Sequence, residues 1–360
     1  MAKTLNPKRN VILEFVKANP SLSSKEIHEG LNLKFGYATV KRILQDLISE
    51  NLIIPSGKGR GTKYQLSQAY ELLHPIDMEE YFKKEIDERK IKESFNHSLI
   101  TGSLSNVSVF TNEELDLLTD LQKKYKENIA KLEEAEYKKE LERLAIDLSW
   151  KSSQIEGNTY SLLETERLLK EKEAAKGKTK DEAVMLLNHK EALDFIIKNP
   201  SYVSPLTLSR IEEIHSILIK DLGVDRNIRK RRVGISGTNY KPIDNEFQIK
   251  EALEDMCASV NQQKNVFAKA LLVLILISYI QAFSDGNKRT ARIISNAILI
   301  NNNYCPVSFR TVDSIEYKKA MLIFYEQNNI TPFKKIFIDQ FEFAVKTYFL
   351  VNLPATLPQS

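Results

Sequence analysis

The amino-acid sequence predicts a mainly α-helical protein in which a small basic domain precedes a larger helical domain. Three observations favour this fold class. Stretches with apolar residues at helical spacing dominate the 360 residues, and stretches typical of strands are few. A hydrophobic share of 42% with 28% charged residues is enough for domains with real cores. The net charge of +4 is uneven, because eleven Lys/Arg and five Asp/Glu give +6 in residues 1–70.

The sequence also limits the class of protein. The amino end has no apolar signal-peptide core, and the longest apolar run, residues 270–280, is shorter than the roughly 20 residues of a membrane span. Cys257 and Cys305 form no metal or redox pattern, and the five histidines are scattered. We therefore expect a cytoplasmic protein with buried free thiols, no structural metal and no membrane partner.

Residues 1–70 contain three amphipathic helical patterns followed by a glycine-rich hairpin pattern. Helices are expected over residues 7–18, 24–31 and 37–50, and short strands over 52–54 and 64–66. This order resembles a winged helix-turn-helix domain, which implies DNA contacts from the third helix and the basic hairpin. The residues assigned to DNA are Tyr37, Thr39, Lys41, Arg42, Lys58, Arg60 and Lys63. A purely protein-binding role stays open, since such domains also bind proteins.

Residues 71–110 mix short helical pieces with a Ser/Thr/Asn-rich stretch, and we expect them to connect the domains. A long charged helix is expected from Thr111, which forms a capping-box pattern with Glu114, to about Glu142. Further helices are expected around residues 183–198 and 207–218. We interpret His189 and His215, which lie on these helices, as structural or surface residues.

The most informative segment is residues 281–292, which read Q-A-F-S-D-G-N-K-R-T-A-R between two apolar helical patterns. A sharp Asp-Gly-Asn turn precedes the second helix, whose amino end offers unpaired N–H groups and a positive dipole end to an anion. Gly286 allows a phosphate to approach the backbone, and Arg289 and Arg292 project from one face toward the same place. Asp285 is an oxygen ligand suited to a phosphate-bound Mg²⁺. The segment therefore indicates a polyphosphate site.

This segment resembles the signature of the Fic family, H-x-F-x-[D/E]-G-N-[G/K]-R-x-x-R. The resemblance implies a protein adenylyltransferase fold over residues 111–350, with an all-helical core, a β-hairpin flap, and ATP with Mg²⁺ as ligand or substrate. Asp285 would be the metal ligand. The residues implied to bind the nucleotide are Phe283, Asp285, Gly286, Asn287, Lys288, Arg289 and Arg292.

The sequence departs from the signature at its catalytic position. The family's histidine, the general base that takes a proton from the target hydroxyl during AMP transfer, falls on Gln281. A glutamine amide does not titrate near neutral pH, and losing a positioned base typically costs about 10²- to 10⁴-fold in rate. We therefore expect AMP transfer to be impaired or altered.

Lys288 is a second departure, because family members that transfer AMP usually have glycine there. A lysine resembles the Doc branch, which phosphorylates its target. Gly286 argues against a strict Doc assignment, because Doc-like loops tend to have alanine at that position.

A third motif lies upstream of the signature. Residues 152–157, S-S-Q-I-E-G, fit the inhibitory pattern [S/T]-x-x-x-E-[G/N] on a helix expected near 144–158, with Ser152, Glu156 and Gly157 at its defined positions. The resemblance implies that Glu156 pairs with Arg292 and occupies the space of the γ-phosphate. The plain alternative is a helix end capped by Gly157.

Residues 231–242 have the alternation and turn chemistry of a β-hairpin, and they lie where the family has its flap. The resemblance implies that a protein target docks there by strand addition. The plain alternatives are a surface hairpin and, for the basic run 229–232, a solvated loop. The residues assigned to the flap are Gly234, Ile235, Ser236, Gly237, Thr238 and Tyr240.

Three functional hypotheses follow. The first is a nucleotide-binding protein of Fic fold, autoinhibited by Glu156 and crippled in AMP transfer by Gln281. The second is an active AMP transferase, or a Doc-like protein kinase, with a substitute base. The third is a transcriptional regulator whose Fic core senses a ligand. The expected partners are ATP or a related nucleotide, a protein target at the flap, and DNA; a homodimer is left open.

Overall fold

The computed structural model describes residues 7–31, 36–104 and 107–351, except for the side chain of Arg60. Within these ranges the chain is mainly helical, and its β-strands form one three-stranded antiparallel sheet near the amino end. The predicted fold class, a mainly α-helical protein, is confirmed.

The amino-terminal region combines three helices with the sheet. The helices are α1 (Pro7–Ala18), α2 (Ser24–Gly30) and α3 (Tyr37–Ser49), and the strands are β1 (Leu22–Ser23), β2 (Ile53–Ser56) and β3 (Lys63–Leu66). The strand order is β1-β3-β2, with Tyr64 opposite both Leu22 and Pro55. The three helices and two strands expected here are present. Strand β1 was not predicted, because two residues carry no measurable alternation.

The connector, predicted over residues 71–110, packs against the helical domain, and its first helix begins one residue earlier. It contains α4 (Tyr70–Leu73), α5 (Met78–Tyr81), a 3₁₀ turn (Ile86–Glu88) and a π-helical turn (Leu99–Ser103). Its main chain is tied to the carboxyl-terminal part of the protein, since Lys92 N donates to Glu326 O (2.8 Å) and Ile330 N donates to Leu72 O (2.9 Å).

The helical domain is built around one almost completely buried helix. Its elements are α6 (Asn112–Ile129), α7 (Glu134–Ile155), α8 (Leu162–Glu171), α9 (Lys180–Lys198), α10 (Leu208–Leu218), α11 (Glu246–Gln262), α12 (Val266–Ile280), α13 (Asn287–Asn301), α14 (Ser314–Gln327) and α15 (Thr331–Thr347). Helix α12 is the buried one, as its continuous apolar sequence predicts. Helix α13 runs back along α12. The hydrogen bond from Ser295 Oγ to Ala270 O (2.9 Å), near the start of α12, shows this direction. Residues 281–286 form the turn between them.

The predicted helix from Thr111 to about Glu142 is wrong in its length. Thr111 and Glu114 do form a reciprocal capping box, but α6 ends at Ile129. A second reciprocal cap between Glu133 and Glu136 then starts α7. These glutamates looked like part of a charged helix face, whereas they satisfy free N–H groups at a new helix start.

The predicted β-hairpin over residues 231–242 is also wrong, although the structure describes all of this segment. It contains no strand, and no main-chain hydrogen bond joins its two halves. Two of its main-chain groups bind the connector instead: Lys241 N donates to Glu93 O (2.7 Å), and Gly237 O accepts from Arg89 Nη2 (2.8 Å). We call residues 231–242 the flap loop. It is an irregular loop with a turn at Gly237 (φ +90°).

None of the helices in the described part of the chain combines the length and the apolar character needed to cross a bilayer.

Candidate functional site

The turn between α12 and α13 depends on two residues with left-handed backbones. Gln281 ends α12 at φ +52°, and Gly286 precedes α13 at φ +83° without a side chain to cap the helix. A Cβ at Gly286 would lie 3.2 Å from the side chains of His215 and Ile219. Both the backbone conformation and the limited space therefore favour glycine, and glycine leaves the amino end of α13 without a side-chain cap.

Asn287 and Phe283 shape this turn from inside. The Asn287 amide accepts a hydrogen bond from Phe283 N (2.9 Å) and donates to Phe283 O (2.7 Å) and Gln281 Oε1 (3.2 Å). The Phe283 ring is buried and stacks on His215 with centroids 3.6 Å apart. The side chains of Asn287 and Phe283, two of the residues predicted to bind the nucleotide, are thus buried and stabilise the turn.

The side chain of Gln281 is fixed by its neighbours. Its Nε2 donates to Ser278 O (2.7 Å) and to the Tyr325 hydroxyl (3.2 Å), while its Oε1 accepts from Asn287. Tyr325 donates its own proton to Ser278 O (3.0 Å), and burial raises the pKa of Tyr325 far above its usual value. Tyr325 therefore stays protonated and cannot serve as a base at this position.

The two nearby histidines are buried and neutral. His215 Nε2 faces the carbonyl oxygen of Asp285 at 2.9 Å and so carries the proton, and burial lowers the pKa of His215. His189 is fully buried, and burial together with the charges of Arg292 and Arg289 lowers its pKa well below the usual value. In the described part of the chain, neither histidine is hydrogen-bonded to Gln281, which agrees with their interpretation as structural residues.

Arg292 is completely buried and already has anionic and neutral partners. Its Nε donates to Ser152 Oγ (2.8 Å), and its Nη2 donates to Ser152 O (3.0 Å) and to Glu156 Oε1 (2.7 Å). The guanidinium also lies 5.2 Å from the ring centroid of Tyr317. The pairing of Glu156 with Arg292 that the resemblance implied is therefore present in the structure.

Glu156 lies at the carboxyl end of α7, followed by Gly157 at φ +102°. Its second carboxylate oxygen accepts from Lys288 Nζ (3.2 Å). Burial opposes ionisation of this carboxyl group, but the charges of Arg292 and Lys288 outweigh it and lower the pKa of Glu156 to about 2. The carboxylate is thus charged at every physiological pH, with one cation on each oxygen.

Trp150 lies earlier on the same helix. It is half-buried, and its indole N–H donates to Tyr160 O (3.0 Å), just after the helix end.

Arg289 and Arg292 have different hydrogen-bond partners in the structure, although the charges of both act on His189. Arg289 Nη2 donates to Asp285 Oδ2 (2.8 Å), and its Nη1 faces Leu218 O (3.4 Å). Asp285 is 55% exposed, and its other oxygen accepts from Gly286 N (2.6 Å).

No group of three or more metal-ligating side chains lies together among the described residues. Magnesium is commonly bound by one or two carboxylates together with the phosphates of its substrate. The exposed carboxylate of Asp285 fits a Mg²⁺ ion that arrives with a nucleotide, whereas it would not hold the ion alone.

Arg229 is a brace that the sequence did not reveal. It is buried, its Nε donates to Gln281 O (2.6 Å), and its Nη1 and Nη2 donate to Arg231 O (2.9 Å) and Ile243 O. The interpretation of residues 229–232 as a solvated loop is wrong for this arginine and holds for the other three, which are exposed. A run of four basic residues carries no signal for which one turns inward.

Among the predicted flap residues, Tyr240 differs from the others. It is buried and stacks on Tyr325 and Tyr279, with centroids 5.4 and 5.3 Å away. Since Tyr325 contacts Gln281, this stack joins the flap loop to the signature turn. The remaining predicted flap residues are exposed or half-buried: Gly234, Ile235, Ser236, Gly237 and Thr238.

The residues assigned to DNA lie on the surface of the amino-terminal region, apart from Arg60, whose side chain is outside the described part. Tyr37 opens α3, its hydroxyl pairs with Ser24 Oγ (2.8 Å), and Lys41 Nζ lies 5.6 Å from its ring centroid. Thr39 is half-buried, and the others are exposed: Tyr37, Lys41, Arg42, Lys58 and Lys63.

Comparison with known proteins finds relatives of part of this chain. Residues 205–299 match the model of the Fic/DOC family. The chain is 27% identical over 200 residues to a protein adenylyltransferase Fic of Culex quinquefasciatus (54% of this chain, 39% of the relative). It is 31% identical over 170 residues to one of Nematostella vectensis (46% and 40%). The chain thus contains a Fic-family domain, and it spans about 40% of the length of these curated relatives.

Solved structures support the same fold. Fic-1 of C. elegans superposes with a TM-score of 0.57 at 20% identity, covering 65% of this chain and 71% of that one. A Fic domain-containing signaling protein of Bacteroides thetaiotaomicron superposes with a TM-score of 0.55 at 21% identity, covering 64% and 94%. The helical domain therefore has the Fic fold.

Proposed function

We propose that this chain is an ATP-binding protein of Fic fold, related to protein adenylyltransferases. In this proposal, Glu156 holds the protein in an inactive state. The observation that carries the proposal is the contact of the Glu156 carboxylate with Arg292 (2.7 Å) and Lys288 (3.2 Å), both on the first turns of α13. Arginine, lysine and an uncapped helix start are groups that bind a polyphosphate, and here an internal carboxylate occupies the arginine and the lysine. Release of Glu156 would free these groups for the γ-phosphate of ATP, with Asp285 available to its Mg²⁺.

We further propose that AMP transfer is impaired at Gln281. A base at this position would have to accept the proton of a target hydroxyl, and the neutral amide of Gln281 cannot. The surroundings support this view, because Tyr325 stays protonated and His215 uses its Nε2 proton on the Asp285 carbonyl. The protein would then bind nucleotide without efficient turnover.

Calorimetry with ATP·Mg²⁺ tests the nucleotide site. We expect Glu156→Gly to bind ATP more tightly than the native chain, because the competing carboxylate is gone. Glu173→Gly is the matched control, since Glu173 is an exposed glutamate that pairs only with the exposed Arg167 among the described residues. Equal affinities in all three proteins would contradict inhibition by Glu156, and no binding in any of them would exclude the nucleotide site itself.

Labelled ATP tests the transfer reaction. In the Glu156→Gly background, Gln281→His should switch on transfer of label from the adenosine part, because it restores a titratable base. Transfer from Glu156→Gly alone would instead favour an active AMP transferase with a substitute base. Transfer of a γ-phosphate label would favour a Doc-like kinase. A protein target at the flap loop is part of the transferase proposals only.

DNA binding by the amino-terminal region is a second proposed function. The observation that favours it is the exposure of Tyr37, Lys41 and Arg42 on the first turns of α3, with Lys58 and Lys63 exposed between and on the two longer strands. A helix that presents such residues suits the major groove, and the lysines suit phosphates. A gel shift with the DNA upstream of the protein's own gene tests this. Binding without sequence preference that disappears at moderate salt would reduce it to general electrostatics.

A further inference from the structure

Lys288 has a contact that its place in the signature did not predict. It is the second residue of α13, and its Nζ lies 3.2 Å from Glu156 Oε2. Glu156 Oε1 is bound by Arg292 instead, at 2.7 Å. Each oxygen of the carboxylate therefore has its own cation, and the two cations come from successive turns of one helix.

The two contacts differ in their surroundings. The Arg292 side chain is completely buried, whereas Lys288 is 25% exposed and Glu156 17% exposed. Arg292 is also held by Ser152 and lies beside Tyr317, so it keeps partners when Glu156 leaves. Lys288 has no second acidic partner among the described ion pairs. The lysine is consequently the cation whose environment changes most when Glu156 moves.

We infer that Lys288 is a second arm of the inhibitory contact: it holds Glu156 in the closed state and becomes a phosphate ligand only after Glu156 has left. This inference rests on the proposed function. It gives the lysine two opposing effects on nucleotide affinity. Removing Lys288 loosens the closed state, which raises the fraction of binding-competent protein, and it also removes a cation from the open site.

A double-mutant cycle on ATP·Mg²⁺ affinity separates the two effects. It compares the native chain, Lys288→Met, Glu156→Gly and the double variant. In each background, the cycle gives the factor by which Lys288→Met changes the affinity for ATP. We expect this factor to be about two- to fivefold more favourable to binding in the native background than in the Glu156→Gly background, which is the size expected for one partly exposed ion pair. An identical effect in both backgrounds would overturn the inference and leave Lys288 as a phosphate ligand only.

A second cycle without nucleotide decides the role of Lys288 even if ATP does not bind. It combines Lys288→Met with Glu156→Gln, which keeps the side-chain shape, and measures the unfolding equilibrium in denaturant. We expect the unfolding constant of the double variant to differ by about two- to fivefold from the value that independent effects of the two substitutions would give. Lys170→Met is the matched control, because Lys170 is an exposed lysine that pairs with Glu166 on its own helix, and it should show no coupling to Glu156.

The two cycles make failure of the proposed function distinguishable from failure of this inference. No ATP binding by any variant would exclude the nucleotide site, while coupling in the unfolding cycle would still support the contact. Independent effects of Glu156 and Lys288 in the unfolding cycle would overturn the second arm, whatever the nucleotide affinities are.

Discussion

Gly286 has a backbone conformation that other residues rarely adopt, and it also lacks room for a side chain. Its φ is +83°, and a Cβ would lie 3.2 Å from His215 and Ile219. We expect Gly286→Ala to lower the free energy of unfolding by about 1–3 kcal/mol. Denaturant unfolding measures this, with Gly234→Ala as the control, because Gly234 has neither a positive φ nor an atom within 4 Å of the added Cβ. Equal stability of the two variants would contradict the strain at the turn.

At the scale of single residues, the sequence predicts what a local motif encodes. Glu156 and Arg292 belong to two motifs with defined positions, so their pairing could be foreseen. The contacts of Lys288 with Glu156, of Arg229 with Gln281 and of Tyr325 with Gln281 span 132, 52 and 44 residues. No local pattern specifies them, because they arise only when distant segments of the chain pack together.

A buried ion pair joins the connector to α14, and its arginine also contacts the flap loop. Arg89 and Glu326 are both buried, with a shortest distance of 3.1 Å, and the Tyr81 hydroxyl donates to Glu326 Oε2 (2.6 Å). Arg89 also donates to Gly237 O in the flap loop (2.8 Å). The buried carboxylate of Glu326 therefore has its cation in the connector, and the same arginine, Arg89, also binds the main chain of the flap loop.

Arg89→Met should destabilise the protein by about 3–5 kcal/mol, because it leaves a buried carboxylate without its cation. Thermal or denaturant unfolding measures the loss. Lys83→Met is the matched control: Lys83 and its partner Glu80 are both well exposed, so its effect should stay within about 0.5 kcal/mol. Adding Glu326→Gln to Arg89→Met should recover part of the loss. A small effect of Arg89→Met, or no recovery, would show that this pair does not hold the connector.

At the scale of elements, apolar periodicity predicts the helices well. It does not predict the hydrogen bonds between distant segments. The apolar run 270–280 lies within α12, and the pattern of residues 7–18 gave α1. The predicted hairpin was wrong because main-chain groups of Gly237 and Lys241 bind the connector instead of a second strand, which the alternation of a few residues cannot reveal. The break before α7 was missed because a capping glutamate looks like any other surface glutamate.

Among the described residues, the larger of two clusters of buried apolar residues extends from the amino-terminal region through the connector into the helical domain. It includes Ile12 and Val40 of the amino-terminal region, Ile100 of the connector, and Leu274 and Phe337 of the helical domain. The sequence predicted separate cores joined by a connector, and a composition shift cannot show whether such cores touch. Stability measured on the whole chain therefore reports on the site as well.

The pH dependence of stability should contain a contribution from Glu156. Its pKa is about 2 in the folded protein against an ordinary value of 4.5, so the contribution is complete above pH 4.5 and is lost as the pH falls toward 2. Between pH 5 and pH 3 we expect the native chain to lose about 2 kcal/mol more unfolding free energy than Glu156→Gln. Unfolding curves at the two pH values measure the difference. Parallel losses in both proteins would mean that the carboxylate is not held by Arg292 and Lys288.

The position of Trp150 gives the protein a built-in optical signal. It is the only tryptophan in the chain, and it lies on α7 six residues before Glu156, with its indole anchored to Tyr160 O just beyond the helix end. Fluorescence excited selectively at the indole therefore comes from a single known place. A change in emission colour or intensity as ATP is titrated would follow the departure of the carboxylate in real time, without any attached dye.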